Sequence, residues 1–176
     1  AHLFNVEEDQ KQHQTKPTIQ EQKDRNIQKC LSGESSEVTI PVISYFAGDI
    51  ESDVVSCDYH KAIAISFQDI EDSEGKLFTT RNGDSQELFD SFTDNLTRES
   101  TKIHNKKIEE YQQLYPNYSL KFSKKTVVYF HNSKYDTTLF PSSLTVQSEC
   151  SKQGALYEKV YMMKGMQVSV RDSHKY

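Results

Sequence analysis

The sequence lacks the features that most often identify a function. It contains no P-loop, GxGxxG, HExxH or GxSxG pattern, the strongest sequence signals for nucleotide binding, metalloprotease and α/β-hydrolase chemistry. It has no run of about 18 apolar residues, which predicts that the chain has no transmembrane helix and does not insert into a membrane. It also has no tryptophan and no internal repeat. These patterns predict no cofactor.

Length and charge limit the architecture and the partners. A chain of 176 residues fits one ordinary domain core. Hydrophobic residues make up 35% and charged residues 27% of it, so part of the chain is expected to contribute little to that core. The formal charge of -5 disfavours a protein that grips nucleic acid over its whole surface, because such proteins usually carry a basic excess. We expect a monomer.

The cysteine pattern favours a disulfide over a metal site. Cys30, Cys57 and Cys150 form no CxxC pair, and no histidine lies at metal-ligand spacing from them. Zinc is therefore not expected. One disulfide and one remaining thiol are the expected arrangement.

Two further features favour a secreted protein. The sequons Asn95-Leu96-Thr97 and Asn117-Tyr118-Ser119 make Asn95 and Asn117 candidate glycosylation sites. The first residue is Ala1, which fits a mature chain whose signal peptide has been removed. Disulfide use points to the same oxidising compartment.

Residues 1–36 are expected to form a disordered polar arm. They are rich in Gln, Lys, Glu and Ser, and their apolar residues are too sparse to bury a face. Because such termini are commonly disordered, a tail or cleavable pro-segment is favoured over a binding arm. Residues 37–176 are then expected to form a single α+β domain.

The domain is predicted to begin with strands. Val38–Phe46 is a β-branched and aromatic run, and its Pro41 indicates an edge strand. A second run, Val54–Phe67, predicts a strand or a short helix. Turn residues follow between Asp69 and Gly75.

The clearest predicted element is a helix from Ser85, a good N-cap, to the Tyr115-Pro116 step. The pattern predicts one long helix, or two that break near 97–101. Its apolar stripe comprises Leu88, Phe92, Leu96, Ile103, Ile108, Tyr111 and Leu114, spaced as on one helical face. Its polar face is predicted to carry Lys102, His104, Lys106 and Lys107.

After Pro116 the hydrophobic period changes to two, which predicts strands. The runs are 118–123, 126–130 and 144–147, followed by a hairpin of 156–163 and 166–170 around Lys164-Gly165. A helix followed by short-linked strands predicts an α+β fold, with an antiparallel sheet packed on one long or broken helix.

Two groups of side chains are candidate functional residues. His60, His104 and His131 are the histidines that a catalytic site could use, but each is flanked by Lys, Asn or Tyr, which is typical of a surface. The second group mixes lysines with tyrosines. It could hold phosphate and stack a base, or it is a solvated face beside core aromatics, which we favour. Its members are Lys102, Lys106, Lys107, Lys121, Lys124 and Lys125, with Tyr111, Tyr115 and Tyr118.

Several short motifs occur in an order that one known family shares. They are Val55-Ser56-Cys57, Ser66–Ile70, Tyr115-Pro116, the strand 125–132 and Cys150. Over residues 45–150 this layout resembles the ribonuclease-like secreted effectors of powdery mildew fungi, which share the fold of the small guanyl-specific fungal ribonucleases. The resemblance implies a ribonuclease-like α+β fold and a disulfide between Cys57 and Cys150, with Cys30 outside the core.

The chain departs from the active ribonucleases of that fold at the catalytic positions. Those enzymes carry a Thr-His pair where this chain has Tyr135–Glu149, a segment without histidine. Their catalytic Glu and Arg have no counterparts here either. The stretch from Asp69 to Tyr115 is longer than is usual in the family, and 151–176 lies beyond its usual end. The resemblance therefore implies a catalytically inactive member.

Three hypotheses of function follow. The leading one is a secreted, non-enzymatic virulence effector that acts outside or inside a host cell and binds a host protein or, alternatively, RNA through the lysine surface and Tyr115. The second is an active secreted ribonuclease or other hydrolase that pairs one of the three histidines with a carboxylate. The third is a small extracellular ligand-binding protein, for which a large apolar cavity would be the sign.

Overall fold

The computed structural model describes residues 38–152 and 155–173, together with Glu21, Asp24, Arg25, Ile27, Gln28, Lys29 and Ser32. It confirms an α+β protein with one long helix, and it shows that the sheet has seven strands. The elements are β1 Val38–Ser56, β2 Tyr59–Asp69, β3 Phe78–Arg81, α1 Ser85–Leu114, β4 Leu120–Phe130, α2 Ser133–Asp136, a 3-10 turn Thr137–Leu139, β5 Thr145–Lys152, β6 Ala155–Met163 and β7 Met166–Asp172.

Contacts between residues divide the chain into two compact units. The first unit comprises residues 1–41 and 117–122, and the second comprises residues 42–116 and 123–176. In the first unit the described residues between Glu21 and Lys29 are helical, and Ile27 is buried. Most of the predicted polar arm, 1–36, lies outside the described residues. No helix within the described segments is both long and apolar enough to cross a membrane.

The long helix α1 is continuous, so of the two predicted alternatives the structure has one long helix and no break near 97–101. Asp84, rather than Ser85, caps it, since the Asp84 carboxylate accepts hydrogen bonds from the backbone N–H groups of Gln86 and Glu87. The helix ends where the Tyr115 N–H donates to the Tyr111 carbonyl. Pro116 then prevents continuation.

The sheet has the strand order β3-β2-β1-β4-β7-β6-β5 and is mixed rather than antiparallel as predicted. β4 and β7 pair in parallel, from Thr126 beside Val168 to Phe130 beside Asp172. Both β5–β6 and β6–β7 are antiparallel, so β5 runs in the same direction as β4. The segment between β4 and β5, which contains α2, must therefore return the chain to the end of the sheet at which β4 began. No local sequence pattern predicts such a crossover.

The strand that contains Pro41 is not at an edge, because β1 lies between β2 and β4. β2 pairs with β1 only from Phe46 onward, so Pro41 is not required to donate a hydrogen bond to β2. The run predicted as a strand or helix, 54–67, comprises the end of β1, the hairpin turn at residues 57–58 and most of β2.

The β6–β7 hairpin is confirmed with its two-residue turn. Lys164 and Gly165 have φ values of 49° and 75°, as a type I′ turn requires at both central positions. Lys164 also forms an ion pair with Asp94 of α1.

The core lies between α1 and one face of the sheet. It combines helix residues such as Leu88 and Phe92 with strand residues such as Phe67 and Phe130. Each such side chain contributes roughly 1.5–3 kcal/mol when fully buried. The buried face of α1 advances by four residues at a time and ends on polar groups, through Leu88, Phe92, Leu96, Ser100 and His104.

Candidate functional site

A groove of about 960 Å³ runs between the second half of α1 and the segment that joins β2 to β3. It lies within the second unit. Its lining residues comprise an α1 wall, a wall formed by residues 69–76, and an apolar floor. We call these the helix wall, the loop wall and the floor.

Hydrogen bonds within the segment hold the loop wall in place. Asp69 and Asp72 each accept, through Oδ1, the backbone N–H two residues further on, at 3.0 Å. Gln68 donates from its amide to the Gly75 carbonyl at 2.6 Å. A Cβ at Gly75 would be 2.8 Å from the Asp72 carbonyl oxygen, so this tight turn requires glycine.

The two walls differ in charge. The loop wall carries four carboxylates and one cation, from Asp69, Glu71, Asp72, Glu74 and Lys76. The helix wall carries four cations and two carboxylates, from Arg98, Lys102, Lys106, Lys107, Glu99 and Glu110. The groove is therefore acidic on one side and basic on the other.

One ion pair joins the walls. Lys107 Nζ donates to Glu71 Oε2 at 2.6 Å and to the Ile43 carbonyl at 2.6 Å. On the helix wall, Glu99 is shared by Lys102 at 3.0 Å and Arg98 at 3.7 Å. These pairs are partly exposed, and exposed pairs typically contribute at most about 1 kcal/mol.

The floor consists of Phe46, Phe78 and Ile103. Phe78 stacks on Phe67 with ring centroids 5.1 Å apart. Lys76 lies over the same Phe78 ring, with Nζ 5.2 Å from the ring centre. Phe46 is buried, so the apolar contact that the floor offers a ligand between the two charged walls comes from the partly buried Phe78 and Ile103.

The predicted lysine surface is only partly brought together. Lys102, Lys106 and Lys107 line the groove, but Lys107 is committed to Glu71. Lys124 and Lys125 are not among the lining residues, and Lys125 Nζ lies 3.6 Å from Glu158. Lys121 belongs to the first unit, and Tyr115 ends α1. Sequence reasoning missed the acidic wall, because 69–75 read only as a turn.

His104 was predicted to lie on the polar face of α1, and this prediction is wrong, because the side chain is fully buried. Its Nε2 lies 2.9 Å from the Lys125 carbonyl and must donate to it, because a carbonyl only accepts. Nδ1 is buried without a hydrogen-bond partner among the described residues. Burial lowers the pKa of His104, and the charges of Lys124 and Lys107 lower it further. A neutral, inaccessible imidazole cannot act as a surface catalyst.

His60 belongs to a chain of hydrogen-bonding groups. The Tyr135 hydroxyl lies 2.8 Å from His60 Nδ1 and 3.0 Å from Ser52 Oγ. All three side chains are half-buried. These three residues join α2 to the β1–β2 hairpin, and they bring the predicted candidate His60 to a hydroxyl group.

Two buried carboxylates are the last residues of α2 and β7. Asp136 and Asp172 are 6% and 8% exposed, and Ser133 donates to Asp172 Oδ2 at 3.4 Å. Burial, followed by the charge of Asp49, raises the pKa of Asp136 to about 6. His131 opposes this shift. No group of three or more His, Cys, Asp or Glu in the described segments could hold a metal ion.

The implied disulfide is not formed. Cys57 and Cys150 are exposed free thiols. Cys57 follows β1 and Cys150 lies on β5, four strand positions away, which corresponds to roughly 19 Å at the usual strand spacing. A disulfide needs Cα atoms within about 7 Å. Cys30 lies outside the described residues.

The two sequons occupy different environments. Asn95 is half-buried within α1, where its Nδ2 lies 3.4 Å from the Thr80 hydroxyl and its Oδ1 accepts from Arg98 at 2.6 Å. Asn117 is exposed just after α1.

Comparison of the chain with protein-family models, curated proteins and solved structures finds no match.

Proposed function

We propose that the chain is a non-enzymatic secreted effector that binds a host protein, and that the groove along α1 is its binding site. The observation that carries this proposal is the opposite charge of the two walls above an apolar floor. Such a site suits a ligand that carries both signs of charge together with apolar surface, and polypeptides supply all three.

Protein is favoured over RNA because of the loop wall. A phosphate backbone near the helix wall would also face Asp69, Asp72 and Glu74 at short range. RNA-binding grooves are positively charged along their length, and the formal charge of the chain is -5. The acidic wall therefore opposes RNA.

The ribonuclease-like arrangement is part of the proposal only in its broad outline. One long helix packed on a sheet supports it. The parallel β4–β7 pair is a departure from the antiparallel sheet that we expected.

A hydrolase is the second candidate, supported by the hydrogen-bonded chain of His60, Tyr135 and Ser52. In such an enzyme the Ser52 hydroxyl would pass its proton to the Tyr135 oxygen while Tyr135 passes its own proton to His60 Nδ1. A relay of this kind activates a serine as a nucleophile. These residues do not line the groove. The third hypothesis, a small extracellular ligand-binding protein with a large apolar cavity, is disfavoured by the charged lining of the groove.

The test is a selection of random-sequence peptides on the intact protein, followed by affinity measurements on two variants. Lys106→Glu reverses a charge inside the groove, and Lys124→Glu makes the same change at an exposed lysine outside it. Selected peptides should bind the wild type and Lys124→Glu equally, and bind Lys106→Glu at least tenfold more weakly. Equal binding to all three proteins would refute the groove as the site.

An assay of enzymatic turnover decides between the effector and the hydrolase. A single-stranded RNA and a simple ester are incubated with the wild type, His60→Ala and Ser52→Ala. Background turnover by all three is expected. Turnover by the wild type that is lost in His60→Ala would instead establish the hydrolase.

A further inference from the structure

The cations of the helix wall recur at a regular spacing. Arg98, Lys102 and Lys106 are four residues apart and so lie on one face of α1. At a rise of about 1.5 Å per residue, neighbouring positions are about 6 Å apart along the helix axis. The helix wall therefore presents a row of positive charges roughly 12 Å long.

An extended polypeptide has a matching repeat. Its side chains point alternately to opposite sides, and those on one side recur about every 6.6–6.8 Å. Acidic side chains at every second position would meet the cation row nearly in register. The intervening side chains would point to the loop wall, where basic groups meet carboxylates.

The Lys107–Glu71 ion pair joins one wall of the groove to the other and therefore occupies part of the groove. A helix with its side chains is about 10–12 Å across, whereas neighbouring extended chains need only about 4.8 Å. Because the repeat of an extended chain matches the row of cations and its cross-section is smaller, an extended segment is the better fit.

Charges remain available on both walls. Neither Lys106 nor Glu74 forms an ion pair within the described part of the chain, and Arg98 and Lys102 share one carboxylate. The floor can contact the aliphatic stems of Glu and Lys side chains of a ligand.

We infer that the groove binds an extended polypeptide segment in which acidic and basic residues alternate, the acidic ones facing α1 and the basic ones facing residues 69–76. This inference rests on the proposed function and specifies the class of partner. In an extended segment with the same residues in blocks, half of the charged side chains would face the wall that carries mostly the same sign of charge.

The experiment compares two labelled peptides of identical composition by fluorescence anisotropy with the intact protein. In the alternating peptide, glutamate and lysine follow each other in four repeats of the pair. In the block peptide, four glutamates precede four lysines. The alternating peptide should bind at least tenfold more tightly.

Variants of the groove show where the alternating peptide binds. Both Lys106→Glu and Glu74→Lys should weaken its binding at least fivefold. The matched variants Lys124→Glu and Glu109→Lys, which change exposed residues outside the groove lining, should not. Thermal unfolding of each variant checks that it is folded.

Three results would overturn the inference. They are equal affinity for the two peptides, no binding of the alternating peptide at 1 mM, or a gain of helical circular dichroism in that peptide on binding. The proposed function fails separately, when peptides selected from the random library bind Lys106→Glu as well as the wild type.

Discussion

The Tyr135 hydroxyl lies 2.8 Å from His60 Nδ1, although 75 residues separate the two along the chain. The same hydroxyl lies 3.0 Å from Ser52 Oγ. A phenol can donate one hydrogen bond and accept others, so both contacts form together. Tyr135 thus fixes α2 against both strands of the β1–β2 hairpin.

Tyr135→Phe should destabilise the protein by about 1–2 kcal/mol, since each lost hydrogen bond typically contributes roughly 0.5–1.5 kcal/mol. Urea unfolding of the variant measures this loss. Tyr59→Phe is the matched control, because Tyr59 lies on the same hairpin and is 56% exposed. Equal unfolding midpoints for the two variants would show that the Tyr135 hydroxyl does not stabilise the fold.

Gly75→Ala should distort the loop wall of the groove. The added methyl would lie 2.8 Å from a backbone oxygen, that of Asp72, so the backbone must move. We expect a loss of about 1–2 kcal/mol in the free energy of unfolding and faster amide exchange over residues 69–76. Gly83→Ala is the control, because a Cβ there meets no atom within 4 Å. Unchanged exchange in Gly75→Ala would contradict the tight turn.

His104 should make the protein less stable in mild acid. Burial, with Lys124 and Lys107, holds its pKa below the usual 6.5, so below that pH the unfolded chain takes up a proton that the folded chain does not. The stabilisation is complete above pH 6.5 and is lost as the pH falls, by at most about 1.4 kcal/mol per pH unit. His104→Gln, which keeps a donor near the Lys125 carbonyl, should reduce this slope between pH 5 and 6.5. Parallel slopes for variant and wild type would be the contrary outcome.

Asp136 should have the opposite effect. Burial and the charge of Asp49 raise its pKa to about 6, so the folded chain binds the proton more tightly than the unfolded chain. Stability from this group is greatest in acid and falls as the pH rises from about 4 to about 6, by up to roughly 3 kcal/mol. Asp136→Asn should therefore gain stability relative to the wild type at pH 7.5 and gain little at pH 4. Chemical unfolding at the two pH values measures this, and a uniform loss would contradict it.

The parts of the fold that the sequence predicts are local. The four-residue spacing of Leu88, Phe92 and Leu96 predicts α1, because residues one turn apart lie on the same helical face. Lys164-Gly165 likewise predicts the β6–β7 hairpin, through its two-residue turn. Ser100 and His104 continue the buried face at the same four-residue step, and that step was the available signal for burial of His104.

The rest depends on contacts between distant segments. The parallel pairing of β4 with β7 and the interior position of β1 arise from the path of the chain through α2, which leaves no periodic trace. Only the helix wall of the groove could be predicted from the sequence, through Lys102 and Lys106. The loop wall could not be predicted, because Asp69 and Asp72 accept hydrogen bonds from their own loop, as acidic residues in turns commonly do.

The interior position of β7 constrains the order of assembly during synthesis. β7 lies between β4 and β6, yet the ribosome makes it after both. While the ribosome is still making residues 133–165, the strand edge of β4 that β7 will cover has no partner among the described strands, and the β5–β6 hairpin cannot join the sheet. Unpaired strand edges recruit other chains. The nascent protein is thus most exposed to aggregation just before residues 166–172 leave the exit tunnel, and a chaperone that shields β4 would act in that interval.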